Sequence, residues 1–147
     1  MHITVFGLNH NTAPIEIREK LYCSADDVSA ILEKLKKQGL NESIVVSTCN
    51  RTEIYFCSYD SEESTRKIAS LLMEHFGVTQ EWLQSYTYRF EDEEAYRHLF
   101  IVASGLDSMV IGEPQILGQV KDAYRTATFH NTTGFFLDKT FHKTFNV

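Results

Sequence analysis

The sequence has little that would tie it to a membrane or to the cell exterior. Its longest apolar run, Leu99 to Ala103, is about five residues, whereas crossing a bilayer takes about 20. The opening Met-His-Ile-Thr has no basic-then-apolar start, so neither a span nor a secretory signal is expected. Cysteine is scarce. Cys23, Cys49 and Cys57 are an odd number without a C-x-x-C pair, which argues against a disulfide framework or zinc knuckle and for a reducing, cytoplasmic setting. With 2 Pro and 7 Gly, collagen-like and low-complexity chains are excluded. Positive charge is also in deficit: 14 Lys and Arg against 20 Asp and Glu give a net charge of −6. That argues against sequence-blind nucleic-acid binding through phosphate neutralisation and leaves room only for a local basic edge. The histidines form no H-x-x-x-H or H-E-x-x-H pair, so no metal site is expected. No G-x-G-x-x-G follows a strand, and no P-loop or G-x-S-x-G elbow is present.

What remains is an ordinary globular composition, 43% hydrophobic and 23% charged over 147 residues, enough for one domain with its own core. Ile3 to Phe6 runs into Gly7 and the Asn9-His10-Asn11 cluster as a strand entering a loop. Pro14 opens a short helix through Leu21. Ser24 and Asp27 make a capping box ahead of Val28, Ile31, Leu32 and Leu35, spaced as one helix face that ends before Gly39. Ile44 to Val46 and Thr52 to Ser58 are strands flanking Ser47-Thr48-Cys49-Asn50-Arg51. Asp60 to Glu63 start a helix that Gly77 stops, and a strand follows at Tyr86 to Phe90. The acidic run Glu91 to Glu94 suits the positive end of a helix carrying Ala95, Leu99 and Val102. Gly112-Glu113-Pro114 leads into a last helix with Ile116, Leu117, Val120, Ala123 and Tyr124 on its buried face. Gly118, inside that helix, suggests a close approach by a backbone or ligand. This order predicts an α+β, ferredoxin-like split βαβ antiparallel sheet with additional helices. The Phe-rich stretch after Phe129 shows no stop signal and would expose several rings unless something covers it.

The strand-to-strand turn is the strongest site candidate, because rigid strands would hold a thiol, hydroxyls, an amide and a guanidinium together. Cys49 is a nucleophile if Arg51 stabilises its thiolate, or a small buried hydrophobe if not. Cys23 and Cys57 read as packing. His98 borders an apolar stripe and is either an acid/base group or a satisfied structural histidine. Ser108 is a helix cap or a site residue. Gln115 and Gln119 share a helix face, solvated or lining a polar pocket.

Two long segments narrow these choices: Ser-Thr-Cys-Asn-Arg-Thr-Glu-Ile-Tyr at 47–55, and Ala-Ser-Gly-Leu-Asp-Ser-Met-Val-Ile-Gly-Glu-Pro-Gln-Ile-Leu-Gly-Gln-Val-Lys at 103–121. They closely resemble signatures of the glutamyl-tRNA reductase family, and Val-Phe-Gly-Leu-Asn-His-Asn-Thr-Ala-Pro-Ile at 5–15 is similar to that family's first strand and loop. The resemblance implies that Cys49 attacks the ester carbonyl of glutamyl-tRNA, leaving a thioester that NADPH reduces to glutamate-1-semialdehyde for tetrapyrrole synthesis. It implies substrate recognition by Thr48, Asn50, Arg51, Ser108, Glu113, Pro114, Gln115 and Gln119, and an activity-related role for His98. It further implies that residues 1–147 are the N-terminal catalytic domain, with 129–147 starting a connecting helix. NADPH-binding and dimerisation domains would lie outside the chain. Homodimerisation and a partner aminotransferase belong to the same expectation. The competing readings are a non-catalytic ferredoxin-like module that binds RNA or protein, with Cys49 buried and inert, and, behind it, a cysteine hydrolase.

Overall fold

A computed structural model describes residues 1–106 and 115–146 of the chain. Strand β1 (His2–Asn9) leads through helices α1 (Ile15–Leu21) and α2 (Ala25–Lys37) to the hairpin β2 (Glu42–Ser47) and β3 (Arg51–Ser58). Helices α3 (Ser61–Phe76) and α4 (Gln80–Tyr86) then connect to β4 (Tyr88–Glu91), followed by α5 (Glu93–Ala103), α6 (Gln115–Phe129) and α7 (Gly134–Phe145). The four strands form one antiparallel sheet in the order β2-β3-β1-β4. Each helical connection therefore skips over one strand, which is the expected split βαβ arrangement.

Register assigns the faces. Val5 opposes Tyr55 and Phe90, and Gly7 opposes Glu53 and Tyr88, so these residues share one face with Arg51. The Tyr55 ring meets Phe141 of α7 edge-on at 5.6 Å, and His98 of α5 reaches Glu53. The opposite face carries Phe6, which shares a cavity of about 490 Å³ with Met73 and Leu83 of α3 and α4. Because helices cover both faces, β1 is buried from Ile3 to Asn9 without alternation, as expected for a strand sandwiched between two layers.

Local signals account for most boundaries. Ser24 accepts from the Asp27 amide and Asp27 reciprocates, so α2 begins with a capping box, and Gly77 ends α3 in the left-handed region at φ 69°. Helix α4 has no counterpart among the elements expected from sequence. Its seven residues are started by Thr79, whose hydroxyl accepts from the Trp82 amide, and its apolar face is too short to show a period. Helix α7 covers part of the Phe-rich stretch, whose five phenylalanines are Phe129, Phe135, Phe136, Phe141 and Phe145: Leu137 and Phe141 are fully buried, worth roughly 1.5–3 kcal/mol each. Three of the five rings still face solvent, namely Phe129, Phe135 and Phe136. Helix α7 lacks a side-chain cap of its own. Glu42 at the start of β2 serves instead, accepting the Leu137 amide at 2.9 Å, and a carboxylate there also complements the helix dipole. A Cβ on Gly134 (φ +64°) would fall 2.2 Å from the Glu42 side chain. At Gly118, by contrast, a Cβ would meet nothing within 4 Å among the described residues, so no described backbone makes the expected close approach.

Candidate active site

The β2–β3 hairpin closes on the pair Ser47 and Thr52. The Thr48 amide donates to the Arg51 carbonyl at 2.8 Å, leaving Cys49 and Asn50 as a two-residue tip. The Thr48 hydroxyl accepts from the Asn50 amide at 3.1 Å and tightens the turn. Below the tip, Thr52 Oγ1 donates to the Leu21 carbonyl at 3.1 Å, so its 2.8 Å contact with Ser47 must use the Ser47 proton. Ser47 Oγ in turn accepts from the Cys23 amide at 2.9 Å. This relay ties the hairpin to the end of α1.

Arg18 completes the clamp. Its Nε donates to the Cys49 carbonyl at 3.1 Å and its Nη1 to the Ala13 carbonyl at 2.8 Å, joining the tip to the loop after β1. The side chain is buried, and nothing in the sequence marks it apart from other helical arginines. Cys49 is exposed, whereas Cys23 and Cys57 are buried. Burial, the leading cause for each, pushes both of those thiols up to about 12. The thiol chosen from the turn is thus the accessible one of three, and the two assigned to packing are packed.

Arg51 points inward with only 1% of its surface exposed, Nη1 lying 3.5 Å from Glu53 Oε2. Glu53, fully enclosed, is the residue that sequence reasoning passed over. Tyr55 donates to its Oε1 at 2.9 Å, while its Oε2 accepts from Tyr88 and is bonded to Nε2 of His98. Burial pushes the Glu53 carboxyl up, but the hydrogen bond and charge of His98, then the charge of Arg51 and the hydrogen bond of Tyr88, outweigh it and hold the group below the usual range. Burial and the Glu53 charge together drive Tyr55 well above an ordinary phenol, so it remains a donor. The signal available in the sequence was Gly7. Its missing side chain leaves space for Glu53, since a Cβ there would lie 3.0 Å from Glu53 Cγ.

The structure therefore gathers Thr48, Cys49, Asn50 and Arg51 at one end of the sheet and joins His98 to Arg51 through Glu53. The His98 ring packs against both Tyr88 and Phe90, with centroids at 5.4 and 5.1 Å, and those two rings stack on each other at 5.1 Å. Gln115 and Gln119 are exposed on α6. Gln119 borders a cavity of about 730 Å³ that also touches Ser47, Cys23 and His130. Ser108, Glu113 and Pro114 lie outside the described residues. Among the described residues there is no cluster of metal-binding side chains and no helix long and apolar enough to cross a membrane.

A wholly antiparallel βαββαβ sheet with a reactive-type hairpin tip defines an α+β domain of the ferredoxin-like class. The family profile for the N-terminal domain of glutamyl-tRNA(Glu) reductase matches residues 6–147, and the chain belongs to that family. Glutamyl-tRNA reductase from Pelobacter propionicus is 45% identical over 148 residues, covering 100% of this chain and 34% of that protein. The Pseudoalteromonas translucida protein of the same name is 44% identical, covering 100% and 35%. The solved structure of glutamyl-tRNA reductase from Methanopyrus kandleri superimposes with a TM-score of 0.75 at 33% identity, covering 98% of this chain and 32% of that one. The chain thus spans about a third of the length of these relatives.

Proposed function

We propose that this chain binds the glutamyl group of glutamyl-tRNA(Glu) and forms its thioester, within an enzyme that makes glutamate-1-semialdehyde for tetrapyrrole synthesis. The observation that carries the reading is the exposure of Cys49 on a tip held by Arg18, beside two buried and unreactive thiols. The Cys49 thiolate would add to the ester carbonyl. Collapse of the tetrahedral intermediate would expel the terminal ribose oxygen of the tRNA, which takes up a proton, and leave a C–S bond to the glutamyl carbon. A thioester is more readily reduced than the ester it replaces, which gives a sulfur nucleophile its purpose here.

Thr48 and Asn50 would frame the carbonyl, and the family resemblance assigns the glutamyl carboxylate to Arg51, whose planar fork suits the task although here it is turned inward against Glu53. Ser108, Glu113, Pro114, Gln115 and Gln119 would complete substrate recognition, as the family resemblance implies. His98 would hold or move a proton near the reacting atoms. NADPH would supply hydride to the thioester carbon. The described residues do not fit that cofactor: the sheet has no parallel βαβ unit, and Gly7 lies within a strand filled by Glu53 rather than at a strand-to-helix turn. In this reading the NADPH site belongs to a part of the enzyme outside this chain. The assignment of 129–147 to an interdomain connection, homodimerisation, transfer of product to an aminotransferase and a cytoplasmic location belong to the same proposal.

The test is mass spectrometry after exposure of the chain to glutamyl-tRNA. A glutamyl adduct on the Cys49 peptide, absent from Cys49→Ser, is expected. An unmodified Cys49, or an adduct that persists in Cys49→Ser, overturns the proposal. The alternative of an inert binding module expects a buried Cys49, and the exposed tip disfavours it.

A further inference from the structure

A carboxylate enclosed in a sheet is rarely there for stability alone. Replacing a buried ion pair by well-packed apolar groups is often neutral or stabilising, whereas removing one partner is strongly destabilising. Glu53 is 0% exposed and sits at the centre of the sheet face covered by α5 and α7, in a row with Val46, Gly7 and Tyr88. A hydrophobe would fill that position. Instead β1 gives up its side chain at Gly7, where a Cβ would fall 2.2 Å from the Thr52 carbonyl oxygen and 2.7 Å from Glu53 Cα. The fold thus makes room for a charge and then surrounds it with donors.

Those donors come from three elements. Arg51 and Tyr55 approach along β3, Tyr88 from β4 and His98 from α5. Three of the four converge on the same oxygen, Oε2, and two of those three, Arg51 and His98, are the residues to which the proposed reaction assigns the substrate carboxylate and the proton. Moving Glu53 moves both. Arg51 stands between Glu53 and the Cys49 tip along the chain and Glu53 is wholly enclosed, so the carboxylate is a shared anchor behind the hairpin rather than a group that meets substrate.

We propose that Glu53 is a positioning residue for thioester formation, its Oε2 fixing the Arg51 guanidinium and the His98 ring relative to the Cys49 tip. The inference rests on the reading of this site as thioester-forming. Glu53→Gln keeps the volume and one carbonyl acceptor but removes the charge that faces Arg51, Tyr55, Tyr88 and His98. Tyr88→Phe removes a single donor to the same oxygen and leaves every formal charge in place.

The experiment measures the rate of Cys49 acylation by saturating glutamyl-tRNA as a function of pH in the wild-type chain and both variants, with iodoacetamide labelling of Cys49 as the control for an intact tip. In Glu53→Gln the acylation rate is expected to fall at least ~10-fold, with a pH profile displaced by about one unit or more, while labelling stays within about twofold of wild type. Tyr88→Phe should displace the profile by a smaller amount. A fold-supporting group with no part in the chemistry would leave the profile in place, so an unmoved profile in a folded Glu53→Gln overturns the inference. If Glu53→Gln does not fold, an unmoved profile in Tyr88→Phe overturns it. Absence of acylation in the wild-type chain refutes the thioester reading itself and takes this inference with it, whereas normal wild-type acylation with unaffected variants refutes only the role of Glu53.

Discussion

Substituting Gly7 by Ala adds one methyl group where two strands meet. The new Cβ would lie 2.2 Å from the Thr52 carbonyl oxygen, 2.7 Å from Glu53 Cα and 3.0 Å from Glu53 Cγ. Two of these three neighbours are backbone, so no rotamer change relieves the overlap and β1 must separate from β3. Gly7 is not among the residues with positive φ, so the penalty is one of space and not of backbone conformation. Overpacking of this kind costs roughly 1–3 kcal/mol, occasionally more. Displacing Glu53 from Arg51 and His98 adds a contribution of the kind seen when a buried charge loses a partner, about 3–5 kcal/mol in full and less if the pair follows. A total of about 3 kcal/mol or more is expected, which at ~2–4 °C per kcal/mol for a chain of this size lowers Tm by about 10 °C. Thermal and urea unfolding followed by circular dichroism measure it. Gly118→Ala is the matched control: the site is helical and open, so the same added methyl should stabilise by up to ~1 kcal/mol. A Gly7→Ala protein within about 0.5 kcal/mol of wild type would refute the clearance argument.

Three further outcomes follow from the same geometry. Iodoacetamide at pH 8 should modify one thiol rapidly, on Cys49, because groups pushed to about 12 are thiolate only to the order of 10⁻⁴ at that pH; rapid labelling of Cys23 or Cys57 in the folded chain would contradict their burial. Since Glu53 is held below its unfolded value of ~4.3, its contribution to stability is present above that pH and disappears as pH falls through the lower native value; urea midpoints from pH 7 to 3 should fall less steeply in Glu53→Gln than in wild type. Arg18→Met, which keeps an apolar stem but loses both carbonyl contacts, should cost about 2–3 kcal/mol and speed amide exchange at Asn50 and Arg51, and unchanged exchange there would show that the clamp does not hold the tip.

The elements that announced themselves in the sequence are those whose determinants are local. The Ser24 and Asp27 box, the Gly77 stop and the β-branched run at Ile44 to Val46 act within a few residues, and each lies where expected. Helix α4 was hidden because one short turn with a Thr79 cap resembles an ordinary loop. The burial of α7 was hidden because its cap comes from Glu42, 95 residues before Leu137. The same division runs through the site. The turn at 48–51 was visible as a cluster of reactive groups in one stretch of chain, and the exposure of Cys49 agrees with its selection. Glu53 was overlooked because alternation along β3 shows only that it shares a face with Tyr55. Its partners Tyr88 and His98 lie 35 and 45 residues away, and only the strand order brings them together. For His98 the sequence offered either an acid/base group or a satisfied structural histidine without naming its partner, which the β4–α5 connection makes a carboxylate.

The borrowed cap of α7 also shapes how the chain is made. A ribosome releases β1 through α6 before residues 134–145, so for that interval the Tyr55 side of the sheet has no Phe141 ring upon it and Glu42 awaits the amide it will receive. Folding from the first residue onward therefore passes through a nascent species with an uncovered apolar floor, the kind of intermediate on which chaperones act and from which aggregation begins.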